Sequence, residues 1–214
     1  MGNQKKCVII CSGDLVQRDV SAFVSDALVI SADGGIDRAK AMGISVDVLI
    51  GDGDSMCSQN EMFHQTYISL PTEKDMTDTD ACVSYALERG YTDFVFLCCT
   101  GGRLDHMLSN IMLLERLLDC GCKGMICDDC NEITAMEPGT YEIANDPFYR
   151  YVSLIPMDRV LEHVSLSGFK YPLEDHTLYR TNASLSVSNE IVADTAKIQI
   201  GSGRTLLIRS RDRK

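Results

Sequence analysis

The pentapeptide Gly51-Asp52-Gly53-Asp54-Ser55 follows the apolar run Val48-Leu49-Ile50 with no spacer. Such a run reads as a buried strand, so two carboxylates one residue apart stand at the mouth of a sheet, and the glycines beside them let the backbone turn sharply and approach a ligand. Hard oxygen donors of this kind suit Mg²⁺, which keeps several waters and takes one or two carboxylates plus substrate phosphates. Asp and Gly also make ordinary solvated turns, and the pentapeptide alone does not separate the two readings.

A second acidic stretch, Glu73-Lys74-Asp75-Met76-Thr77-Asp78-Thr79-Asp80, stands immediately before a helix-like segment. Thr77 with Asp80 three residues on has the form of a capping box, so Asp80 is assigned to capping, while Asp75 and Asp78 stay open to another role. If Asp78 points back toward Asp52 and Asp54, the three carboxylates repel unless a divalent cation sits among them. The third stretch, Thr100-Gly101-Gly102-Arg103-Leu104-Asp105-His106, follows a strand and opens a helix. Amides freed by the glycines and the helix N-terminus favour an anion there, and Arg103 can add a bidentate phosphate contact. The loop is neither a Walker A sequence nor a Gly-x-Gly-x-x-Gly fingerprint. Asp105 is alternatively the helix N-cap, and His106 a surface or capping histidine.

These loops need a frame, and hydrophobic periodicity predicts one. Strand-like runs cover residues 6–11, 27–31, 46–50, 66–70, 93–98 and 124–128, with helices between them, clearest over 78–89 and 105–118, where Leu108, Ile111, Leu114 or Glu115, and Leu118 recur at helical spacing. That alternation predicts a parallel sheet with helices on its faces. Ligands of such sheets bind at the carboxyl ends of the strands, where Ser12-Gly13-Asp14, Ala32-Asp33-Gly34-Gly35 and the three polar stretches all fall. From about Glu132 the texture changes to short alternating runs at 151–155, 160–166, 185–187, 196–200 and 206–209, separated by turn signals such as Glu137-Pro138-Gly139 and Asn145-Asp146-Pro147. This predicts antiparallel strands in a small sandwich or barrel. The expected fold class is thus α/β, an N-terminal three-layer parallel-sheet domain over 1–130 followed by a C-terminal all-β sandwich over 131–214.

With 214 residues, 45 % of them hydrophobic, the chain can build a substantial core. Its 20 basic and 31 acidic residues give a net charge of −11, which argues against a nucleic-acid partner. No apolar run is long enough to span a membrane, and the opening Met-Gly-Asn-Gln-Lys-Lys is expected to be neither anchor nor signal, with Lys6 departing from a myristoylation site. Several of the ten cysteines sit inside apolar runs and are expected to be reduced thiols of a cytoplasmic protein. The cluster Cys120, Cys122, Cys127 and Cys130 lacks the longer gap that separates zinc knuckles.

Taken together, the ordered set Asp-Gly-Gly, Gly-Asp-x-Asp-Ser, Lys-Asp-x-Thr-Asp and Gly-Gly-Arg-x-Asp-His, with Gly168-Phe169-Lys170-Tyr171-Pro172-Leu173 and a late Ser-Asn, resembles thiamine pyrophosphokinase from Cys11 to Asn189. The resemblance implies that Mg-ATP gives its terminal pyrophosphoryl group to the hydroxyethyl oxygen of thiamine, releasing AMP, in a homodimer whose active sites lie between subunits. It implies an N-terminal nucleotide domain and a C-terminal domain for thiamine and dimerisation. By motif position, Asp52, Asp54 and Asp78 hold Mg²⁺, with Asp33 and Asp75 beside it. Arg103 and Asp105 meet the phosphates, and Ser12, Gly13, Gly34, Lys74, Gly101, Gly102 and His106 complete the ATP side. Ser188 and Asn189 match the thiamine-binding segment. Either Asp78 or Asp105 accepts the alcohol proton. The chain contains no Trp, so the aromatic that some relatives place near thiamine is missing or replaced. A Mg²⁺-dependent phosphohydrolase and a non-catalytic nucleotide sensor are the other classes that the acidic loop and the fold allow.

Overall fold

Runs of Val, Ile, Leu and Phe without polar interruption, such as Cys7-Val8-Ile9-Ile10 and Phe94-Val95-Phe96-Leu97, are buried on both faces and so form the middle of a parallel sheet. The computed structural model describes residues 5–52, 64–71 and 75–213. The chain divides into two compact units, Met1–Asp129 and Cys130–Lys214.

In the first unit the elements run β1 (Lys6–Ile10), α1 (Ser21–Val24), β2 (Ala27–Ala32), α2 (Gly35–Ala41), β3 (Val46–Gly51), β4 (His64–Ser69), α3 (Asp78–Glu88), β5 (Asp93–Leu97), α4 (Leu104–Asp119) and β6 (Lys123–Cys127). All six strands pair parallel, in the order β4, β3, β2, β1, β5, β6. The chain winds outward from β1 to β4, then returns to the other side of β1 as β5. Strand order therefore reverses between β1 and β5, and at such a reversal diverging connections leave a crevice at the carboxyl ends. Val8, Ile10, Val29, Leu49, Val95 and Leu97 pack on one face with Ile36 and Ala39 of α2. The opposite face is covered by α3 and α4, which bury Cys82, Val83 and Ala86, and Leu113, Leu114 and Leu117.

The phase of α4 differs from the expected stripe. Its buried line runs through Asn110, Leu113, Leu114 and Leu117, while Leu104, Leu108 and Met112 point outward. Two apolar lines four residues apart in step were available on this helix, and only packing against the sheet selects one. The cysteine cluster does not assemble either. Cys122 precedes β6 and Cys127 ends it, so a strand rising about 3.3 Å per residue separates them. Among the described residues no three His, Cys, Asp or Glu side chains are placed to hold a metal.

The second unit contains β7 (Asn131–Met136), β8 (Gly139–Ala144), β9 (Tyr151–Pro156), β10 (Val160–Ser167), β11 (Leu173–Tyr179), β12 (Thr195–Ile200) and β13 (Thr205–Ser210). β13 pairs antiparallel with β7 and β9, while β10 pairs with β11 and β12, and β12 with β8. Met136, Val152, Leu154 and Leu207 from the first group meet Ile143, Leu161, Val164, Leu166, Leu178, Ala196, Ile198 and Ile200 from the second in one core, which makes a β-sandwich. Glu137-Pro138 carries the chain from one sheet to the other, because proline cannot extend a ladder. Residues 185–187, expected as a strand, instead continue from a 3₁₀ segment, Arg180–Ser186, whose Ser186 hydroxyl donates to the Leu154 carbonyl at 2.6 Å. Sequence periodicity missed β7, β8 and β11, which are short and mostly half-exposed.

At a bulge in β10, His163 adopts a positive φ of 55°, as does Asp175 opposite it at 47°. The two side chains meet at 2.6 Å, Nδ1 to Oδ1, on the exposed face. The Asp175 hydrogen bond, followed by its charge, raises the His163 pKa above the ordinary 6.5. A group with a raised folded-state pKa stabilises fully below its unfolded value and loses that contribution as pH rises through the folded one. Thermal melts of the His163→Gln variant are therefore expected to fall furthest below wild type at pH 5.5 and to approach it steadily above pH 6.5. A difference in Tm that does not change with pH would show that the pair contributes no charge interaction.

Candidate active site

The loops after β1, β2, β3 and β5 and the first turns of α3 and α4 enclose a cavity of about 570 Å³ at the carboxyl ends of the strands. It lies at the reversal of strand order. A larger hollow of about 720 Å³, between the 15–21 segment and the α2–β3 turn, has a lining of mainly apolar side chains and gathers none of the acidic loops.

Gly13 holds the cavity together. Its amide donates to the Cys98 carbonyl at 2.7 Å, and the next amide, of Asp14, donates to Thr100 O at 2.8 Å. A Cβ at Gly13 would stand 2.3 Å from Thr100 O and 2.6 Å from Cys98 O, so only glycine permits the two loops to approach this closely. The Arg38 guanidinium, from α2, donates through Nε to Gly13 O at 2.7 Å and thereby ties the loop after β1 to the helix that follows Asp33. Thr100 is fixed in turn by its hydroxyl donating to Asp128 at 2.8 Å.

Three carboxylates line the cavity: Asp33, Asp52 and Asp78. Asp33, at φ 41°, donates its amide to Ile50 O at 2.8 Å, which draws the end of β3 against it. A Cβ on Gly51 would lie 2.9 Å from Asp33 Cβ and 3.0 Å from its Oδ1. That Oδ1 is buried and accepts no hydrogen bond among the described residues. A buried carboxylate oxygen without a donor is costly unless a cation supplies the missing positive charge. The donor set fits Mg²⁺, which needs only one or two carboxylates and fills its other positions with water and phosphate oxygen. Asp54, the other expected metal ligand, lies outside the described residues, as does Lys74.

Asp78 is the first residue of α3, whose N-cap is Thr77, with the Thr77 hydroxyl accepting the Asp80 amide at 3.2 Å. The Asp80 carboxylate does not serve the cap as expected and instead pairs with Arg116 of α4. Arg103 and His106 line the cavity, whereas Asp105 does not. Asp105 is not the N-cap of α4. Arg103 holds that position, and the Asp105 carboxylate turns back to accept Arg103 Nε at 3.1 Å and Nη2 at 2.6 Å. The Arg103 hydrogen bond, opposed by slight desolvation and helped by the His106 amide, holds the Asp105 pKa down at about 2. Asp75 is exposed and outside the lining, and Gly34 is the N-cap of α2 beside Asp33.

In the second unit Asn189 is buried and its side chain is committed to backbone groups. Nδ2 donates to Tyr171 O at 2.8 Å, while Oδ1 accepts the amides of Tyr171 and Glu190, each at 3.0 Å. Its main chain pairs with Val152 in both directions. Ser188, at φ 59°, is exposed, and its amide donates to Ser153 Oγ at 2.9 Å.

Two family models match the chain: the catalytic domain of thiamin pyrophosphokinase over residues 21–126 and its vitamin B1 binding domain over residues 140–205. The thiamine pyrophosphokinase of Bacillus subtilis is 32 % identical over 199 residues, covering 91 % of this chain and 92 % of that protein. The chain belongs to the thiamine pyrophosphokinase family. Its fold matches the crystal structure of thiamine pyrophosphokinase from Bacillus subtilis with a TM-score of 0.87 at 30 % identity, covering 98 % of this chain and all of that one. The Geobacillus thermodenitrificans thiamin pyrophosphokinase structure matches with a TM-score of 0.84 at 29 % identity, over 97 % and 98 % of the two chains.

Within this family member the cavity therefore gathers Ser12, Gly13, Asp33, Asp52, Asp78, Gly101, Gly102, Arg103 and His106. Sequence reasoning passed over Cys11, Thr79, Cys99, Met107 and Asn110, which line it as well. A signal for part of this set existed. Arg103, His106, Met107 and Asn110 follow the i, i+3, i+4, i+7 spacing of one helical face, and Asn110 Nδ2 donates to Cys99 O at 3.1 Å. Arg38 gave no signal, because its partner is a backbone carbonyl 25 residues away.

Removing the Asn189 amide leaves two backbone donors and one carbonyl unpaired in a buried position, a loss of about 1–3 kcal/mol or more. Asn189→Ala is expected to lower Tm by several degrees, while Ser188→Ala, on the surface, shifts it by less than about 2 °C. Equal melting temperatures for the two variants would show that the Asn189 bridge does not support the sandwich.

Proposed function

We propose that this chain transfers the terminal pyrophosphoryl group of Mg-ATP to the hydroxyethyl oxygen of thiamine, giving thiamine diphosphate and AMP, as a cytoplasmic thiamine pyrophosphokinase. One observation carries the reading: Asp33, Asp52 and Asp78 converge with Arg103 on a single cavity at the reversal of strand order. In a protein of net charge −11, polyphosphate enters such a cavity only with a cation. Asp52, Asp78 and Asp54 are the residues that would hold Mg²⁺, which when bound neutralises phosphate charge and polarises the transferring group.

The chain's own residues then position and neutralise. Arg103 and its partner Asp105 are largely exposed, 73 % and 63 % at the side chain, so their mutual attraction is screened and weak. Arg103 exchanges that partner for a phosphate in a planar, two-pronged contact. Of the two carboxylates considered for the alcohol proton, Asp78 lines the cavity and Asp105 does not, which favours Asp78. The loops after β1 and β5 fix the near side of the cavity, supporting a role for Ser12, Gly13, Gly101 and Gly102 against ATP.

On the thiamine side, Asn189 acts through the main chain it holds, and Tyr171, bonded to it and 59 % exposed, supplies the aromatic surface that tryptophan gives some relatives. Ser188 is the exposed hydrogen-bonding group of that segment. We take the working unit as a homodimer in which the two subunits share each site. Exposed Val187 beside Ser188 supports a covered surface there. Cys7, Cys11, Cys98, Cys99 and Cys122 are buried thiols, in keeping with a reducing compartment.

Incubation with thiamine, ATP and Mg²⁺ is expected to give AMP and thiamine diphosphate in equal amounts, with no AMP when thiamine is left out. AMP or ADP release independent of thiamine would replace this reading with a phosphohydrolase. Asp78→Asn should lower kcat by about 10²-fold or more while the protein still folds, because the side chain keeps its size and loses its proton acceptor and ligand charge. A kcat within twofold of wild type would remove Asp78 from the chemistry.

A further inference from the structure

Cys98 breaks the alternation of β5. In a regular strand Phe96 and Cys98 would share a face, yet Cys98 packs with Val95 and Leu97 in the cluster on the α2 side. The break is a left-handed residue, Cys98 at φ 55°, a conformation costly for any side chain with a Cβ. Its effect is to turn Cys99 onto the α3 side, where Cys11 already stands. Cys11 follows β1, and its amide donates to Leu97 O at 2.9 Å, while Ile10 is the register partner of Leu97. Cys11 and Cys99 thus stand just past the carboxyl ends of neighbouring strands, one residue out of register.

We infer that Cys11 and Cys99 form an oxidant-sensitive thiol pair in the wall of the cavity, open to small peroxides and closing to an intramolecular disulfide. Both residues line the cavity, so an oxidant that enters it reaches them although each is only 4 % exposed. Cys11 Sγ shares a hydrogen bond with the Thr79 hydroxyl at 3.5 Å, and each thiol acts on the pKa of the other. These contacts divide the roles. The Cys99 thiol and then Thr79 lower the Cys11 pKa against the effect of burial, while Cys11 and burial raise that of Cys99. Cys11 is the nucleophile, as the thiolate is the reactive form, and Cys99 is the resolving thiol.

The Cys11 thiolate attacks one oxygen of hydrogen peroxide; an S–O bond forms, the O–O bond breaks, and hydroxide leaves to become water on taking a proton. Cys99 sulfur then attacks the Cys11 sulfenic acid, forming S–S and breaking S–O, and its proton leaves with the hydroxyl as a second water. Two thiols lose two electrons and the peroxide gains them. The cross-link takes Cys11 from Thr79, the neighbour of Asp78, and locks the loops after β1 and β5, so pyrophosphoryl transfer stops. Only that last consequence rests on the proposed function.

The test treats the full-length reduced protein with hydrogen peroxide, alkylates remaining thiols under denaturing conditions and maps peptides by mass spectrometry. A reductant-reversible link between the Cys11 and Cys99 peptides is expected, with at least tenfold loss of activity restored by dithiothreitol. Cys99→Ser should halt at a Cys11 sulfenic acid trapped by dimedone, and Cys11→Ser should give neither product. Oxidation of Cys120, the exposed thiol, with Cys11 and Cys99 both alkylated would overturn the inference, as would a link that uses Cys98. Mg-ATP is expected to slow cross-linking at least tenfold; cross-linking at an unchanged rate upholds the thiol pair and counts instead against the nucleotide reading of the cavity.

Discussion

Two parallel strands, β1 and β5, lie side by side although most of the first unit's sequence separates them, and their connections leave in opposite directions. The hydrogen bond from the Gly13 amide to Cys98 O, 2.7 Å long, closes the gap that this divergence opens. Both loops then face the same space. The loops after β1 and β5 and, through Arg38, the start of α2 take their positions from that contact. Arg38 grips the Gly13 carbonyl from α2, and α2 begins directly after Asp33. A larger residue at position 13 would push the loop after β1 from the loop after β5 and shift all of them together.

Electrostatics in this cavity serves its chemistry. Asp33, Asp52 and Asp78 face one space, and one Asp33 oxygen is buried without a donor among the described residues. Carboxylates gathered in this way have the chemistry that suits a divalent cation. Arg103 is kept available by the opposite device, a partner on its own helix turn that is exposed and easily exchanged. Asp80 and Arg116, by contrast, join α3 to α4, which keeps the first turn of α3 fixed while its leading residue, Asp78, lines the cavity.

In the sandwich, the corresponding organiser is a neutral amide. Asn189 joins the segment after the 3₁₀ turn to Tyr171 and to Val152, so three stretches distant in sequence meet at one buried side chain. Lys170 and Arg150 both reach Glu190, whose pKa is lowered chiefly by the Lys170 hydrogen bond. These charges sit at the surface around the amide rather than replacing it, as burial of an ion pair would carry a desolvation cost that a satisfied amide avoids.

The sequence by itself determined the parallel strands and their helices, since both patterns are local: continuous apolar runs for strands buried on two faces, and spacing near 3.6 for α3 and α4. It also put Asp33, Asp52, Asp78 and Arg103 in polar loops at the carboxyl ends of strands, and the order of those loops carried the resemblance to the family. Three things were decided only by tertiary structure. Which line of α4 is buried depended on the sheet it met, for Leu108 and Leu117 are equally apolar in sequence. The pairing of Asp105 with Arg103, of Asp80 with Arg116 and of Asn189 with main-chain groups depended on partners that spacing does not reveal. The meeting of Cys11 with Cys99 required both the adjacency of β1 and β5 and a backbone reversal at Cys98, and neither leaves a periodic trace in the chain.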